Sequence, residues 1–266
     1  MAKAIYNGVD NVARKVKTPY IGVDNVSRKV TTGYIGVDNV ARQCFSGGTP
    51  MSELSVGDSV YMNMDGTATE FFVVHQGLPD DTLYDASCDG TWLLKRNLLP
   101  DEIENRSNNY RSSSIHTYLT DTALNMFDAE VQSIIKTVRI PFYGTHSDGQ
   151  TLQVYTGANG LSTKLFVLSL IELGGTHNYD REIGSVLQYF NGASDSDRSA
   201  AFSDGSTGSI LNRPTYWTRS AHTSGGQFYV SYSGTFSATS SATSYIRPAL
   251  ILPSNTLVDD NFNVIA

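Results

Sequence analysis

The chain has 266 residues, of which 40% are hydrophobic and 11% aromatic, and this composition is typical of a packed globular protein rather than a disordered one. Its two cysteines, Cys44 and Cys88, have no CxxC spacing and no neighbouring histidines, which disfavours a disulfide-stapled or zinc-built scaffold. The net charge of -7 is uneven, because residues 1–45 carry seven Lys or Arg against three Asp.

The basic N-terminal part has two interpretations. It could bind nucleic acid, but regularly spaced Arg-Lys pairs are more typical of the solvated face of a repeat, and no recognition motif accompanies them. We therefore expect no nucleic-acid partner. The first residues lack the apolar run of a secretory signal, and no stretch approaches the roughly twenty apolar residues of a membrane helix. The sequence predicts a protein made in the cytoplasm without a signal peptide and without membrane insertion.

Residues 1–48 contain a 14-residue repeat that occurs three times. Gly8, Gly22 and Gly36 each begin the sequence Gly-Val-Asp-Asn-Val. Each unit reads as two short β-runs joined at Asp-Asn, residue types that tolerate a tight turn, so the three units predict a six-stranded meander. One hairpin cannot bury its apolar face. We therefore expect this segment to stack on copies of itself as an attachment and oligomerisation module, followed by a linker at residues 49–52.

The remaining residues, 53–266, predict one α+β domain with short helices and mainly antiparallel strands. Strands are expected at residues 56–60, 70–75, 91–95 and 164–171. Helices are expected after the candidate N-caps Ser114 and Asp128 and over residues 180–190. Residues 192–207 are rich in Ser, Asp and Gly, and they are expected to form an exposed loop.

The segment from Ala221 to Tyr245 has an unusual composition. It contains no Asp, Glu, Lys, Arg or Asn, and Ser, Thr, Gly and Ala dominate between scattered Phe and Tyr residues. Antibody paratopes have a similar composition, because rigid aromatic residues supply contact area and small polar residues supply adaptable hydrogen bonds. An ordinary pair of Ser/Gly-rich loops on a hairpin would also look like this, so composition alone leaves both interpretations open.

The flanks of this segment carry a family resemblance. Trp217-Thr218-Arg219-Ser220 and Ile246-Arg247-Pro248-Ala249-Leu250, with segments 84–94, 114–119, 157–162 and 166–169, resemble a domain family that recurs in prophages of Firmicutes. That family is related in fold to formylglycine-generating enzymes and to the variable proteins of diversity-generating retroelements. The resemblance covers about residues 52–254 and implies a C-type-lectin-like domain. The N-terminal repeats also resemble those of phage tail-associated proteins.

The resemblance implies a route to the unusual composition. In retroelement-diversified proteins, adenines of a template are randomised, so that Asn codons scatter into Ser, Thr, Tyr, Gly, Ala and similar residues. The segment from Ala221 to Tyr245 is similar to such an outcome, although its lack of Asn and Asp departs from the average one. The implied role is a variable surface that binds a ligand.

The strand period predicts which side chains of this surface point outward. If Phe228 and Val230 face the core, then Tyr229 and Ser231 face out, and Gly234 marks the hairpin turn. The predicted ligand contacts are His222, Thr223, Ser224, Gln227, Tyr229, Ser231, Ser233, Thr235, Ser237, Thr239, Ser240, Thr243 and Tyr245. The residues expected to frame this surface and hold the fold are Trp217, Arg219, Arg247 and Pro248.

The sequence lacks the residues that the enzymes related in fold require for catalysis. Both cysteines precede residue 90, whereas formylglycine-generating enzymes need a reactive cysteine pair in the C-terminal half. The five histidines are dispersed and have no His-x3-His spacing, which disfavours the three-His site of related iron enzymes. No Gly-x-Ser-x-Gly elbow follows a strand, as a hydrolase of that type would require. We therefore expect no enzymatic activity and no cofactor.

Calcium-dependent sugar binding is also disfavoured. The Glu-Pro-Asn or Gln-Pro-Asp triplet of calcium-dependent lectins and its Trp-Asn-Asp partner are missing from the sequence, and the candidate segment has no carboxylates. Asp195, Asp197 and Asp204 could gather an ion in the exposed loop, but acidic loops are usually solvated. We expect no bound metal.

These inferences lead to one functional hypothesis and one alternative. The hypothesis is a receptor-binding, adhesin-like protein of a phage or phage-like particle that binds a bacterial surface protein or glycan. Its other expected partners are phage tail proteins, contacted through residues 1–48, and copies of itself in a homo-oligomer, with a trimer favoured. The expected location is the virion. The alternative is a non-diversified structural component of the tail or baseplate with no ligand of its own.

Overall fold

The computed structural model describes the chain over residues 6–9, 12–15, 20–23, 26–29, 32–37, 40–46, 48–145, 152–176, 183–202, 214–222, 226–239 and 242–266. These residues form an α+β fold dominated by short antiparallel strands, as the sequence predicts. Within them, no helix is long and apolar enough to cross a membrane.

Each N-terminal repeat forms an antiparallel hairpin. The strands are β1 (Tyr6–Val9), β2 (Val12–Lys15), β3 (Tyr20–Val23), β4 (Val26–Lys29), β5 (Thr32–Val37) and β6 (Val40–Ser46). In every hairpin the last Val of one strand pairs with the first Val of the next, as in Val23 and Val26, so each connection is two residues long. The described strands pair only within their own hairpin. They form three two-stranded sheets, not the six-stranded meander that the repeat predicts.

The remaining strands are short. They are β7 (Thr49–Pro50), β8 (Ser59–Met64), β9 (Thr67–Gln76), β10 (Thr91–Lys95), β11 (Ile103–Asn105), β12 (Val138–Ile140), β13 (Phe142–Thr145), β14 (Leu152–Tyr155), β15 (Leu161–Thr163), β16 (Leu165–Phe166), β17 (Tyr216–Ala221), β18 (Gln227–Val230), β19 (Phe236–Thr239), β20 (Ala242–Ser244), β21 (Ala249–Leu252), β22 (Leu257–Val258) and β23 (Val264–Ile265). The α-helices are α1 (Ser114–Asp121), α2 (Ala129–Ile134) and α3 (Asp195–Arg198). Single 3-10 turns lie at Met51–Glu53, Ala86–Cys88, Tyr110–Ser112, Ala123–Met126, Gly157–Asn159 and Gln188–Phe190.

The core is built around a five-stranded sheet with the order β16-β21-β10-β9-β8. The middle strand, β10, is buried along its whole length, which explains its unbroken run of large residues from Trp92 to Leu94. β9 pairs with β8 through a two-residue turn at Asp65 and Gly66, both of which have positive φ. The strands predicted at 70–75 and 91–95 are thus confirmed, whereas the strand predicted at 56–60 begins at Ser59.

The two main helices begin close to their predicted caps. Ser113, one residue before the expected cap, accepts a hydrogen bond from the backbone N–H of His116 at 3.1 Å, and α1 starts at Ser114. Asp128 occupies the N-cap position of α2 as predicted, although its side chain makes no capping hydrogen bond. Local sequence placed these helix starts to within one residue because capping is a short-range interaction.

Residues 49–52, expected to be a linker, belong to the folded body instead. Thr49–Pro50 pairs with Leu257–Val258, so the beginning of the body is joined to the C-terminal segment of the chain. The side chain of Met51 is 0% exposed and packs in the main hydrophobic core. Residues 47–50 have the sequence Gly-Gly-Thr-Pro, which is typical of a linker, and such local composition gives no information about a pairing partner about two hundred residues away.

Two further predictions need correction. Residues 183–187 have no helical structure, and only a 3-10 turn at Gln188–Phe190 follows them, so the predicted helix over 180–190 is wrong within the described residues. Apolar spacing there reflects scattered burial of Ile183, Leu187 and Phe190 rather than one helix face. The predicted strand over 164–171 is limited to Leu165–Phe166, although the run is buried.

The expected exposed loop over 192–207 contains the short helix α3 within its described part. Arg198 of this helix is only 8% exposed. Its guanidinium donates to the carbonyl oxygens of Leu173 and Ala193 and pairs with the carboxylate of Asp195 at 2.7 Å. This stretch is therefore tied to the body by specific polar contacts.

Candidate ligand-binding face

The central part of the predicted ligand-binding surface is the β18–β19 hairpin, in which Tyr229 pairs with Ser237. On one side of β18, Phe228 and Val230 are 2% and 0% exposed and pack in the interior. On the other side, Tyr229 is half-buried and Ser237 is exposed. The predicted alternation is confirmed. We call the outward side chains Tyr229, Ser231, Ser233, Thr235 and Ser237 the hairpin face.

Three hydroxyl groups cluster at the tip of this face. The Oγ of Ser231 lies 2.9 Å from the Oγ of Ser233 and 2.7 Å from the Oγ1 of Thr235. The backbone closes around them, because the N–H of Ser231 donates to the carbonyl of Thr235 at 2.8 Å. Each hydroxyl can donate one hydrogen bond and accept others, so the cluster can meet either kind of polar group on a ligand.

The hairpin tip is anchored to the body at Gly234. This residue has a φ of +84°, which favours glycine, and it is buried although it lies in a turn. A Cβ at this position would overlap the backbone carbonyl of Asp195, at the start of α3. The tip therefore presents its hydroxyls from a fixed position.

Gln227, a predicted ligand contact, is instead buried, with 0% of its side chain exposed. Its Oε1 accepts a hydrogen bond from the Asn105 amide at 3.4 Å, and its Nε2 has no hydrogen-bond partner among the described residues. The cover comes from β11, whose Ile103 carbonyl also accepts a hydrogen bond from the Trp217 indole at 2.8 Å. Strand parity correctly assigned Gln227 to the Tyr229 side, but β11 hides that end of the strand.

The remaining predicted contacts are distributed as follows. Thr243 is exposed on β20 and pairs with Glu104 of β11. These two strands form a sheet separate from the β17-β18-β19 sheet that contains the hairpin. Tyr245 is half-buried with its ring 4.8 Å from that of Phe202. His222 is half-buried against Phe228, with ring centroids 5.3 Å apart.

Thr223, Ser224 and Ser240 lie outside the described residues, and Thr239 is described only as the last residue of β19. The structure therefore groups five of the predicted contacts in the hairpin face, separates Thr243 and Tyr245 from them, and removes Gln227 from the accessible surface.

Tyr245 contacts an acidic part of the surface. Desolvation and a hydrogen bond to the Glu102 carboxylate raise the pKa of its hydroxyl. Glu102 lies on the rim of an open groove of about 670 Å³ next to α1 and β11. The other residues that line this groove are Ile103, Glu104, Ser112, Ser114, Thr117, Tyr118, Asp121 and Thr122.

The expected framing residues are buried. Trp217 and Arg219 are 0% exposed and Arg247 is 3% exposed, while Pro248 is also buried. The Arg219 guanidinium forms a two-pronged ion pair with the fully buried Glu172 and donates to the carbonyls of Pro141 and Val167. Removing one partner from such a pair typically costs about 3–5 kcal/mol of stability. This network holds β17, the strand next to the hairpin, in the body.

A second groove was not anticipated from the sequence. It has a volume of about 330 Å³ and lies between Tyr232 of the hairpin tip and residues 189–201. Arg96, Asn97 and Arg247 also line it. These residues come from four separate segments of the chain, so sequence patterns could not have grouped them.

Within the part of the chain that the structure describes, no three His, Cys, Asp or Glu side chains come together as a potential metal site. Cys88 is buried, and burial raises the pKa of its thiol to about 12. A thiol with such a pKa stays protonated near neutral pH and is a poor nucleophile.

Together, these observations define an α+β domain with a β18–β19 hairpin whose tip packs closely against α3 and whose outer face is neutral and hydroxyl-rich. The family described as "Domain of unknown function (DUF6273)" matches residues 89–254, well over half of the chain, and the chain belongs to this family. No curated protein and no solved structure matches the chain.

Proposed function

We propose that this protein is a receptor-binding, adhesin-like component of a phage or phage-like particle, and that the hairpin face binds a bacterial surface protein or glycan. One observation carries the proposal. The outward side chains from Tyr229 to Ser237 stand on strands whose opposite side chains, Phe228 and Val230, are buried in the interior. Exposed outward residues such as Ser237 can change without repacking the core, whereas Tyr229 also packs edge-on against the buried Trp217.

The energetic argument is a separation of roles. Surface substitutions away from special features usually change stability by less than about 0.5 kcal/mol. Truncating a large buried side chain such as Phe228 costs about 3–5 kcal/mol. A hairpin with this division can hold its shape while its outer residues adapt to a ligand. Its Tyr and Ser composition fits that use, because Tyr supplies contact area with little loss of conformational entropy.

The C-type-lectin-like fold is part of the proposal. It rests on the resemblance of residues 52–254 to the prophage family, with which the short helices and antiparallel strands of the body are compatible. Diversification by a retroelement is proposed on the same resemblance. A neighbouring near-copy of the codons for residues 216–247 that differs only at adenines, beside a reverse transcriptase, would test it.

The N-terminal hairpins are proposed to attach the protein to the particle, as a trimer or another homo-oligomer. Each two-stranded hairpin is marginal by itself in water, so association of several copies would stabilise the segment. Several hairpin faces on one particle would then add avidity to individually weak contacts. Without a ligand, the protein would be a structural tail or baseplate component.

Cell binding by matched variants tests the proposed face. Ser237 and Thr67 are both exposed strand residues, on β19 and β9 respectively. Labelled full-length protein is incubated with a panel of Firmicutes cells, and bound fluorescence is measured. We expect Ser237→Lys to reduce binding at least about tenfold and Thr67→Lys to leave it unchanged, with both melting temperatures within about 2 °C of wild type.

Two outcomes would contradict this proposal. If the wild-type protein binds none of the cells, the structural alternative takes its place. If Ser237→Lys unfolds the protein, or if it binds as well as Thr67→Lys, the hairpin face is not the contact surface.

A further inference from the structure

The second groove, between the hairpin tip and residues 189–201, is bordered by tyrosine rings and by the buried Arg247. Tyr232 is 48% exposed at the tip, which makes it one of the few exposed large hydrophobic residues of the described chain. Tyr189 is held edge-on by Phe72 and Phe190, with ring centroids 4.8 and 5.0 Å away. Two tyrosine rings therefore border the same groove, of about 330 Å³, which falls in the usual size range of small-ligand sites.

The charge at this groove is unusual. Arg247 is 3% exposed and lines the groove. Its guanidinium donates to the carbonyl oxygens of Lys95, Arg198 and Arg96 at 3.0, 3.1 and 3.2 Å, and to the hydroxyl of Tyr216 at 3.4 Å. All four acceptors are neutral. Among the described residues, no carboxylate lies within ion-pair distance of Arg247.

A second buried cation lies next to Arg247. Lys95 is 6% exposed, and its ammonium group donates to the carbonyl oxygens of Asn97 and Leu98 at 3.1 and 3.4 Å. Burial, together with the charge of Arg247, lowers the pKa of Lys95 to about 8. Lys95 is therefore mostly charged at neutral pH, in a place where a positive charge is unfavourable.

The other charges around the groove are already engaged. Arg96 pairs with Glu70 at 3.1 Å, and Arg198 pairs with Asp195 at 2.7 Å. The Asp197 carboxylate, on the groove wall, accepts hydrogen bonds from the backbone and hydroxyl of Ser194. Arg247, which lines the groove, and its buried neighbour Lys95 are therefore paired with none of these carboxylates, although Asp197 keeps its negative charge on the groove wall.

We propose that this groove binds an anionic saccharide, with the sugar ring against the tyrosines and its carboxylate or phosphate group toward Arg247. Buried charges are normally paired, and an anion at this position would supply the missing partner. Aromatic rings offer flat apolar surface to the carbon-bearing face of a sugar, and the Asn97 amide and the hydroxyls of Ser196 and Ser199 can hydrogen-bond its hydroxyl groups.

This inference deepens the proposed function and rests on it, because Tyr232 belongs to the same hairpin tip as the hydroxyl cluster. It specifies the ligand class as an acidic glycan. Tyr232 lines the groove, and Ser231, Ser233 and Thr235 are its near neighbours in the same hairpin tip.

Calorimetric titration of the full-length protein with matched sugars tests the ligand class. The carboxylate arm compares trigalacturonate with galactotriose, and the phosphate arm compares glucose 6-phosphate with glucose. We expect the acidic member of at least one pair to bind at least about tenfold more tightly than its neutral counterpart, and its affinity to fall as NaCl is raised. Equal affinity within both pairs, or no binding of any of the four sugars, would overturn the proposal.

Three variants locate the binding. Tyr232→Ala removes an exposed ring, and we expect it to weaken binding of the acidic sugar at least about tenfold while the protein stays folded. Ser196 is exposed on the groove wall, and the pair Ser196→Asp and Ser196→Asn differs only in charge. The Asp variant should bind the acidic sugar several-fold less tightly than the Asn variant. Unchanged affinity in Tyr232→Ala would show that the sugar binds elsewhere and would overturn the assignment.

The two proposals can fail separately. If cells bind through Ser237 but none of the acidic sugars binds, only the acidic-glycan inference is wrong. If an acidic sugar binds in a Tyr232-dependent way but no cells are bound, the groove assignment holds and the receptor-binding function is wrong.

Discussion

Lys95 is a residue whose burial makes the stability of the fold depend on pH. Its pKa in the folded protein is about 8, against 10.5 for an unperturbed lysine, because burial and then the charge of Arg247 disfavour its charged form. Between these two values the unfolded chain binds a proton that the folded chain does not. Folding stability from this residue therefore rises with pH across that window and is lowest below it.

Replacing Lys95 with Met tests this dependence. We expect the unfolding free energy of the wild type, relative to that of Lys95→Met, to increase by about 3 kcal/mol between pH 7.5 and 10.5. Urea unfolding of both proteins across that range measures it. Other titrating groups, including the buried tyrosines, cancel in the difference. A difference that does not change with pH would mean that Lys95 reaches solvent when charged.

Neighbouring residues of β18 show what strand parity can and cannot predict. Parity correctly placed Phe228 and Val230 inward and Tyr229 outward, because alternation is a property of the extended backbone. It also placed Gln227 outward, but that side chain is buried beneath β11. Whether an outward side chain reaches solvent depends on which other segments pack on the sheet. The residue that contacts Gln227 is Asn105, 122 positions away in the sequence.

At the scale of elements, the β18–β19 hairpin depends on the close approach of its turn to α3. Gly234 has positive φ, and it lies where a Cβ would overlap the Asp195 carbonyl. Gly66, in the β8–β9 turn, also has positive φ, but a Cβ there would meet nothing within 4 Å. The two glycines share the same backbone requirement and differ in their surroundings.

Alanine substitution separates these two effects. We expect Gly66→Ala to cost about 1 kcal/mol, from the backbone conformation alone. Gly234→Ala should cost at least about 2 kcal/mol more, because the tip must also move away from α3. Chemical denaturation measures both. If the two variants are equally stable, the contact between tip and α3 is not part of the folded state.

Sequence predicted some elements well and others poorly, for identifiable reasons. The strand at Thr91–Lys95 and the starts of α1 and α2 follow from local runs and caps. Within the described residues, the predicted helix over 180–190 is wrong, because Ile183 packs in a small separate cluster while Leu187 and Phe190 pack in the main core. An amphipathic helix always shows helical spacing of its apolar residues, but the same spacing can occur in a segment that is not helical.

At the scale of the whole molecule, the body begins earlier than the sequence predicts. Thr49–Pro50 pairs with Leu257–Val258, which in turn pairs with Val264–Ile265. Met51 is fully buried directly after this strand. The start and the end of the body are therefore joined in one three-stranded sheet.

Two truncations test this boundary and the role of the repeats. A protein that begins at residue 47 keeps β7 and Met51, and we expect it to be monomeric with a melting temperature within about 3 °C of the full chain. One that begins at residue 53 loses both and should be less stable by about 2–5 kcal/mol, the usual cost of losing a buried methionine side chain. Light scattering and thermal unfolding measure the two properties. If the protein from residue 47 stays oligomeric, residues 1–46 are not the oligomerisation module.

The sequence by itself determined the local features of this protein: the three hairpins, the buried strand at 91–95, the helix starts near Ser114 and Asp128, and the alternation along β18. These features depend on neighbours within a few positions, which a sequence displays directly. Only the tertiary structure decided that Gln227 is covered, that residues 49–52 are core, and that Tyr232 and Arg247 border one groove. Each of these depends on packing between segments far apart in the chain, and burial and charge pairing are set by that packing.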